Sequence, residues 1–233
     1  MTSWSARLSI SIVLGVVVGP ALAAGDSAPR PAPWSGDFTG RVAALAVLQT
    51  LNAELLSHDS ATLTLDRWCD DHHLASPAKI VAQRDKSTVK PAGPDQRRVL
   101  GVADSEPIQY RRVKLMCGSH VLSEADNWYV PARLTAEMNH QLETTDVAFG
   151  RAVQALHFQR RTLAAKLLWS PLPDGWDTGA PRPASPAAKV LQVPHEVLQH
   201  QAVLVLPDGS PLSEVVETYT DEVLAFPQPK PAM

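Results

Sequence analysis

The chain has 233 residues, of which 45% are apolar and 19% charged, so it can bury an ordinary core and is not a disordered polymer. Its 21 basic and 24 acidic residues leave a formal charge of -3, which argues against a strongly basic nucleic-acid binder. Two cysteines are too few for a disulfide-rich scaffold or a four-thiolate zinc site, and 20 prolines against 12 glycines ask for stiff loops and tails.

Residues 1–24 read as a cleavable signal peptide. Arg7 is their only charge, residues 8–18 are apolar, Gly19-Pro20 breaks the helix, and Ala21-Leu22-Ala23 supplies a small-x-small cleavage pattern. A membrane span needs ~20 apolar residues and this run is shorter. The expectation is a periplasmic or secreted protein with no stable membrane insertion after the signal is removed. In such a compartment Cys69 and Cys117 form a candidate disulfide.

Residues 25–38, rich in Ala, Pro and Ser, read as a flexible lead-in. From 39 the text turns helical, with Val42, Leu45, Leu48, Leu51, Leu55 and Leu56 recurring at three- and four-residue spacing. Asp59-Ser60 offers capping side chains for a second helix over 62–74. Strand-like text follows at 80–83, 99–102 and 108–117, and Gly118-Ser119 turns the last of these into a partner over 121–130. Pro131 opens a helix reaching 142, and a further helical region covers 151–168. Residues 171–186 form a proline-rich loop. Strands over 201–206 and 212–220 flank Pro207-Asp208-Gly209-Ser210, and 226–233 is a proline-rich tail. The sum is an α+β fold, an antiparallel sheet with helices packed on one side, in a single domain over 39–225.

No glycine-rich phosphate loop and no G-x-S-x-G elbow is present. Asp70-Asp71-His72-His73 looks metal-like, but four adjacent helical residues point around the whole circumference, so a solvated helix end is expected and no metal. Two strands carry the chemistry. Period two groups Arg111 with Val113, Leu115 and Cys117, and Arg112 with Lys114 and Met116, so Arg111 faces the apolar side. A guanidinium there needs an anion, either a ligand carboxylate or an internal salt bridge. On the last strand Glu217 shares a face with Ser213, Val215 and Tyr219, where desolvation would raise its pKa toward proton donation. It could equally pair with an arginine, and Glu214 has a similar claim on the opposite face.

Together these residues resemble the chorismate lyase family over 55–219. Asp59-Ser60-Ala61-Thr62 is similar to that family's Asp-Ser-x-Thr helix start, Ala125 to Pro131 keeps its hairpin spacing, Phe149-Gly150-Arg151 resembles its Leu-Gly-Arg turn, and Glu217 stands at its late glutamate. The resemblance implies a chorismate-lyase-like fold that cleaves chorismate, or a related enolpyruvyl acid, to 4-hydroxybenzoate and pyruvate in a small buried cavity, without metal or cofactor. It makes Glu217 and either Arg111 or Arg112 the catalytic residues. Counting back from Pro131 selects Arg112, whereas strand alternation selects Arg111. Ala61, Thr62, Phe149 and Gly150 would be ligand-binding, with backbone amides meeting the ligand carboxylate. Asn127 stands where the family has a second arginine. The implied partner is a small aromatic or enolpyruvyl carboxylate, with no nucleic acid. A non-catalytic exported protein binding an aromatic carboxylate in the same cavity is the alternative.

Overall fold

A computed structural model describes residues 34–179 and 190–229. The segment read as a signal peptide, most of the lead-in, part of the proline-rich loop and residues 230–233 lie outside them.

Two helices open the described chain. Helix α1 (Phe38–Ser57) begins at Asp37, whose side chain accepts from the Gly40 N–H, and it buries Gly40, Ala44, Leu48, Leu51 and Leu55. A fully buried leucine side chain contributes roughly 1.5–3 kcal/mol, and α1 supplies three of them. Helix α2 (Ala61–Asp71) starts at Ser60, whose hydroxyl accepts from the Leu63 N–H at 3.3 Å, and it buries Leu65, Trp68 and Cys69. Then come β1 (Ile80–Asp85), α3 (Pro94–Leu100), β2 (Gln109–Cys117) and β3 (His120–Tyr129). The turn between β2 and β3 uses Gly118 at φ +57, a left-handed value that favours glycine. After α4 (Ala136–Thr144) and the single turn α5 (Phe149–Ala152), the chain closes with β4 (Gln159–Leu167), β5 (Glu196–Val205) and β6 (Pro211–Thr220).

The strands form one antiparallel sheet in the order β1-β2-β3-β6-β5-β4. Register decides which side chains share a face. Arg111 pairs with Asn127, Asn127 with Val215, and Val215 with Ala202; one step along, Val113, Ala125, Glu217 and His200 line up in the same way. This face packs against α1 and α2, and the main core lies there. Cys69 of α2 and Cys117 of β2 are joined as a disulfide across it, with Cα atoms 6.3 Å apart. The last residues before α1 also belong to this core: Trp34 donates from Nε1 to the Leu224 carbonyl, and its ring meets Phe226 edge to face at 5.6 Å.

Three expectations are corrected. Residues 99–102 are not a strand: Pro94 takes the first turn of α3 and Gly101 its left-handed cap, so the β-branched residues there end a helix. Residues 151–168 are not a helix: after α5 and a 3₁₀ turn over Gln154–Leu156, the text rich in Ala, Lys and Leu is drawn into β4 by pairing with β5. Strand pairing outweighs helical propensity here. Nor do all helices lie on one side, because α3 covers the opposite face, where Leu100 packs with Trp128 and Val130. Among the described residues no helix is long and apolar enough to cross a membrane.

Candidate functional site

The first turn of α2 is laid against α5. Gly150 permits this, because a Cβ there would sit 2.8 Å from Ser60 Oγ and 3.2 Å from Thr62 Oγ1. Asp66, one turn further along α2, fixes the arrangement by accepting from the Ile80 N–H at 2.7 Å and from Arg151 Nη2 at 2.6 Å. Between this first turn and the sheet lies a small cavity of about 40 Å³. The amides of Ala61 and Thr62 have no preceding turn to bond to, and their residues line it. They present the positive end of the helix.

Arg111 forms one wall. The residue is 3% exposed, and its Nη2 donates to the carbonyls of Val147 at 2.8 Å and Thr145 at 3.5 Å. Its Nε and Nη1 have no hydrogen-bond partner among the described residues. Burial, aided by the nearby charge of Arg84, pushes its pKa down to about 10. The guanidinium thus remains protonated at neutral pH while only partly satisfied. Beside it, Asn127 Oδ1 accepts from the Ser213 hydroxyl, and both residues are buried in the cavity wall. Val113, Leu115, Ala125, Phe158, Leu204 and Val215 supply the apolar middle.

The far wall is an internal ion pair. Arg160 Nη2 lies 2.5 Å from Glu217 Oε2, with side chains 3% and 7% exposed, and the Tyr219 hydroxyl donates to the same oxygen at 3.2 Å. Burial works against the Arg160 charge, but the adjacent Glu217 carboxylate more than offsets it and leaves the pKa raised. The Arg160 N–H donates to Asp59 Oδ1 at 2.9 Å, tying β4 to the approach to α2. Behind Glu217, fully buried His200 donates from Nε2 to Asn52 of α1 at 2.8 Å. Burial and then the Arg160 charge push its pKa down to about 4, so it stays neutral.

The structure brings Arg111, Glu217, Ala61, Thr62, Phe149 and Gly150 to one cavity. Arg112 is on the opposite face, bonded to Asp126 at 3.0 Å and Glu124 at 2.8 Å within a half-buried ion network, because adjacent strand residues point to opposite sides. Glu214 also lies on that face, accepting from Gln201 at 2.7 Å. Asp70 and Asp71 are exposed while His72 stacks on Phe226 at 3.9 Å. Among the described residues no group of His, Cys, Asp and Glu could hold a metal ion. Arg160 and Phe158 were missed because 151–168 reads as helix. Pairing of β4 with β5 is what carries Arg160 inward, and its sequence neighbours do not signal it. The arrangement can hold an anion against Arg111 and the α2 amides. Arg160 and Tyr219 both engage Glu217 Oε2.

No protein-family model matches the chain. Solved structures resemble it, among them the following three. PhnF from Mycobacterium smegmatis gives a TM-score of 0.46 at 12% identity, covering 76% of this chain and 71% of that one. The effector domain of PhnF gives 0.44 at 12% identity over 70% and 90% of the two chains. A GntR-family transcriptional regulator from Bacillus cereus gives 0.39 at 12% identity over 66% and 98%. One of these is an effector domain and another a GntR-family transcriptional regulator. The chorismate-lyase resemblance is corrected on that finding, and with it the fold name, the lyase activity and the exported aromatic-carboxylate binder. The exclusion of nucleic acid and the periplasmic or secreted location are likewise not kept. Among curated proteins the "Uncharacterized protein y4mC" of Sinorhizobium fredii is 54% identical over 224 residues, covering 96% of this chain and 94% of that protein. At that identity and coverage, the chain belongs to the same family as y4mC.

Proposed function

We propose that the domain over 39–225 is a non-catalytic ligand-binding domain that takes a small anion into the cavity between α2, α5 and the sheet. The observation that carries this is Arg111, a buried guanidinium with two nitrogens unpartnered among the described residues, standing in a cavity that the first turn of α2 also lines. An unpaired buried charge costs several kcal/mol, and an anion accepting from Nε and Nη1 would relieve that cost. Amides at the start of α2 add donors and a favourable dipole. The Arg160–Glu217 pair closes the far end already neutralised, so it selects for the polarity of the ligand body and does no chemistry. This is the behaviour of an effector domain, whose occupancy is read by another molecule.

The test is calorimetric titration of the full chain with inorganic phosphate, sulfate and acetate at fixed ionic strength. Saturable binding of at least one anion is expected, weakened about tenfold or more in Arg111→Gln, since a charge-assisted hydrogen bond contributes about 1.5–3 kcal/mol. Binding unaffected by Arg111→Gln, or no binding of any anion, would overturn the proposal.

A further inference from the structure

The two groups offered to an anion sit on different elements. Arg111 is on β2 and the first-turn amides are on α2, and these elements are joined at their other ends by the Cys69–Cys117 disulfide. From Ala61 to Cys69 is about 12 Å along the helix axis. From Arg111 to Cys117 is about 20 Å along the strand. Both elements are stiff, so the bond acts as the closed vertex of a frame whose open side is the anion site. Other ties on α2 are non-covalent. Asp66 holds the middle of the helix to β1 and α5, and Trp68 Nε1 donates to the Val223 carbonyl at 3.0 Å. The Asp66 tie reaches β2 only through Ile80, the β1 residue paired with Cys117, so the disulfide is the covalent link between α2 and β2.

Both cysteines are fully buried in the main core, against residues such as Leu65 and Leu115. A thiol in solution reaches their sulfurs only when α2 lifts from the sheet, a local opening. That opening also carries the Ala61 and Thr62 amides away from Arg111.

We propose that the Cys69–Cys117 disulfide sets the spacing of the anion site, so that occupancy and disulfide integrity are coupled. A bound anion slows reduction, and reduction lowers affinity for the anion. The inference rests on the anion-binding function proposed above. The coupling runs both ways because it is a single free energy shared by two sites. In the reductive step a dithiol such as dithiothreitol attacks one protein sulfur as its thiolate, forming a mixed disulfide. Its second thiolate then displaces the remaining cysteine, and two electrons and two protons end on Cys69 and Cys117 while the reagent closes to its cyclic disulfide.

The experiment follows free thiols released from the full oxidised chain under dithiothreitol, with inorganic phosphate as probe and chloride as the ionic-strength control. Saturating phosphate is expected to slow reduction several-fold in the natural sequence and not in Arg111→Gln. The double variant Cys69→Ser, Cys117→Ser, confirmed folded by circular dichroism, is expected to bind phosphate several-fold more weakly. Equal reduction rates with and without bound phosphate, or equal affinity in the double variant, would overturn the proposal. If phosphate does not bind the oxidised chain, the anion reading fails on its own, and amide hydrogen exchange decides the frame. Reduction must then raise exchange in the first turn of α2 while leaving β5 and β6 protected, and unchanged exchange there overturns the coupling.

Discussion

Two arginines enter the same cavity from opposite ends of the sheet, and they are satisfied differently. Arg160, on β4, meets Glu217 at 2.5 Å, so its charge is neutralised within the chain although its Nε has no hydrogen-bond partner among the described residues. Arg111, on β2, has only backbone carbonyls on one nitrogen and nothing on the other two among the described residues. The difference separates structure from function in one pocket. A paired buried charge holds strands together, whereas an unpaired one costs stability and persists where something outside the chain completes it.

The sharpest way to break this contrast is to remove one partner at each end. Glu217→Ala leaves Arg160 buried and alone, so urea unfolding should show a loss of about 3–5 kcal/mol. Arg111→Met removes an unpaired charge, so the folded state should be as stable as before or more so while anion binding disappears. Equal destabilisation by the two changes would show that Arg111 is structural after all.

Next in size is the pH response behind Glu217. His200 titrates near 4 in the folded chain against an ordinary 6.5. The unfolded chain therefore takes up a proton that the folded one refuses. Stability is fully present above about 6.5, falls as pH drops toward 4, and is then lower by about 3 kcal/mol. In His200→Gln that part of the slope between 6.5 and 4 should vanish from the urea midpoints.

Gly150→Ala tests the other end of the cavity. Its methyl group would meet Ser60 Oγ at 2.8 Å, so an overpacking cost of about 1–3 kcal/mol is expected, with weaker anion binding as α2 is pushed away. Thermal melts and the phosphate titration together check it. The smallest effect belongs to Arg112, whose side chain is 28% exposed in the outer ion network. Arg112→Gln should change stability by less than about 1 kcal/mol and leave anion binding alone, and a loss of binding there would move the site to the other face.

What the sequence revealed follows the same contrast. Period-two alternation on β2, where Val113 and Leu115 are apolar, is enough to choose the face of Arg111. The Gly118-Ser119 turn fixes the β2–β3 hairpin from local chemistry. Arg160 was hidden because β4 is an edge strand with both faces largely exposed, so its text carries no hydrophobic alternation, and Ala164-Ala165-Lys166-Leu167 favours helix. Helix α3 was hidden by Val99 and Val102 despite a proline at its start and a glycine at its end. Its packing onto Trp128 is a long-range contact with no local signature. The short motifs, for their part, resembled a family that the solved structures did not support.

The strand order holds one more consequence. With β3 paired to β6, the sheet is two three-stranded meanders sewn along a single central seam. Arg111 belongs to one meander, and Arg160 with Glu217 belongs to the other. A ligand in the cavity would therefore be a rivet through that seam. Its donors, Arg111 and the α2 amides, come from the first half, but the second half walls the cavity, so two separately produced halves, cut in the 143–158 connection, would be expected to reassemble more readily when the anion is supplied.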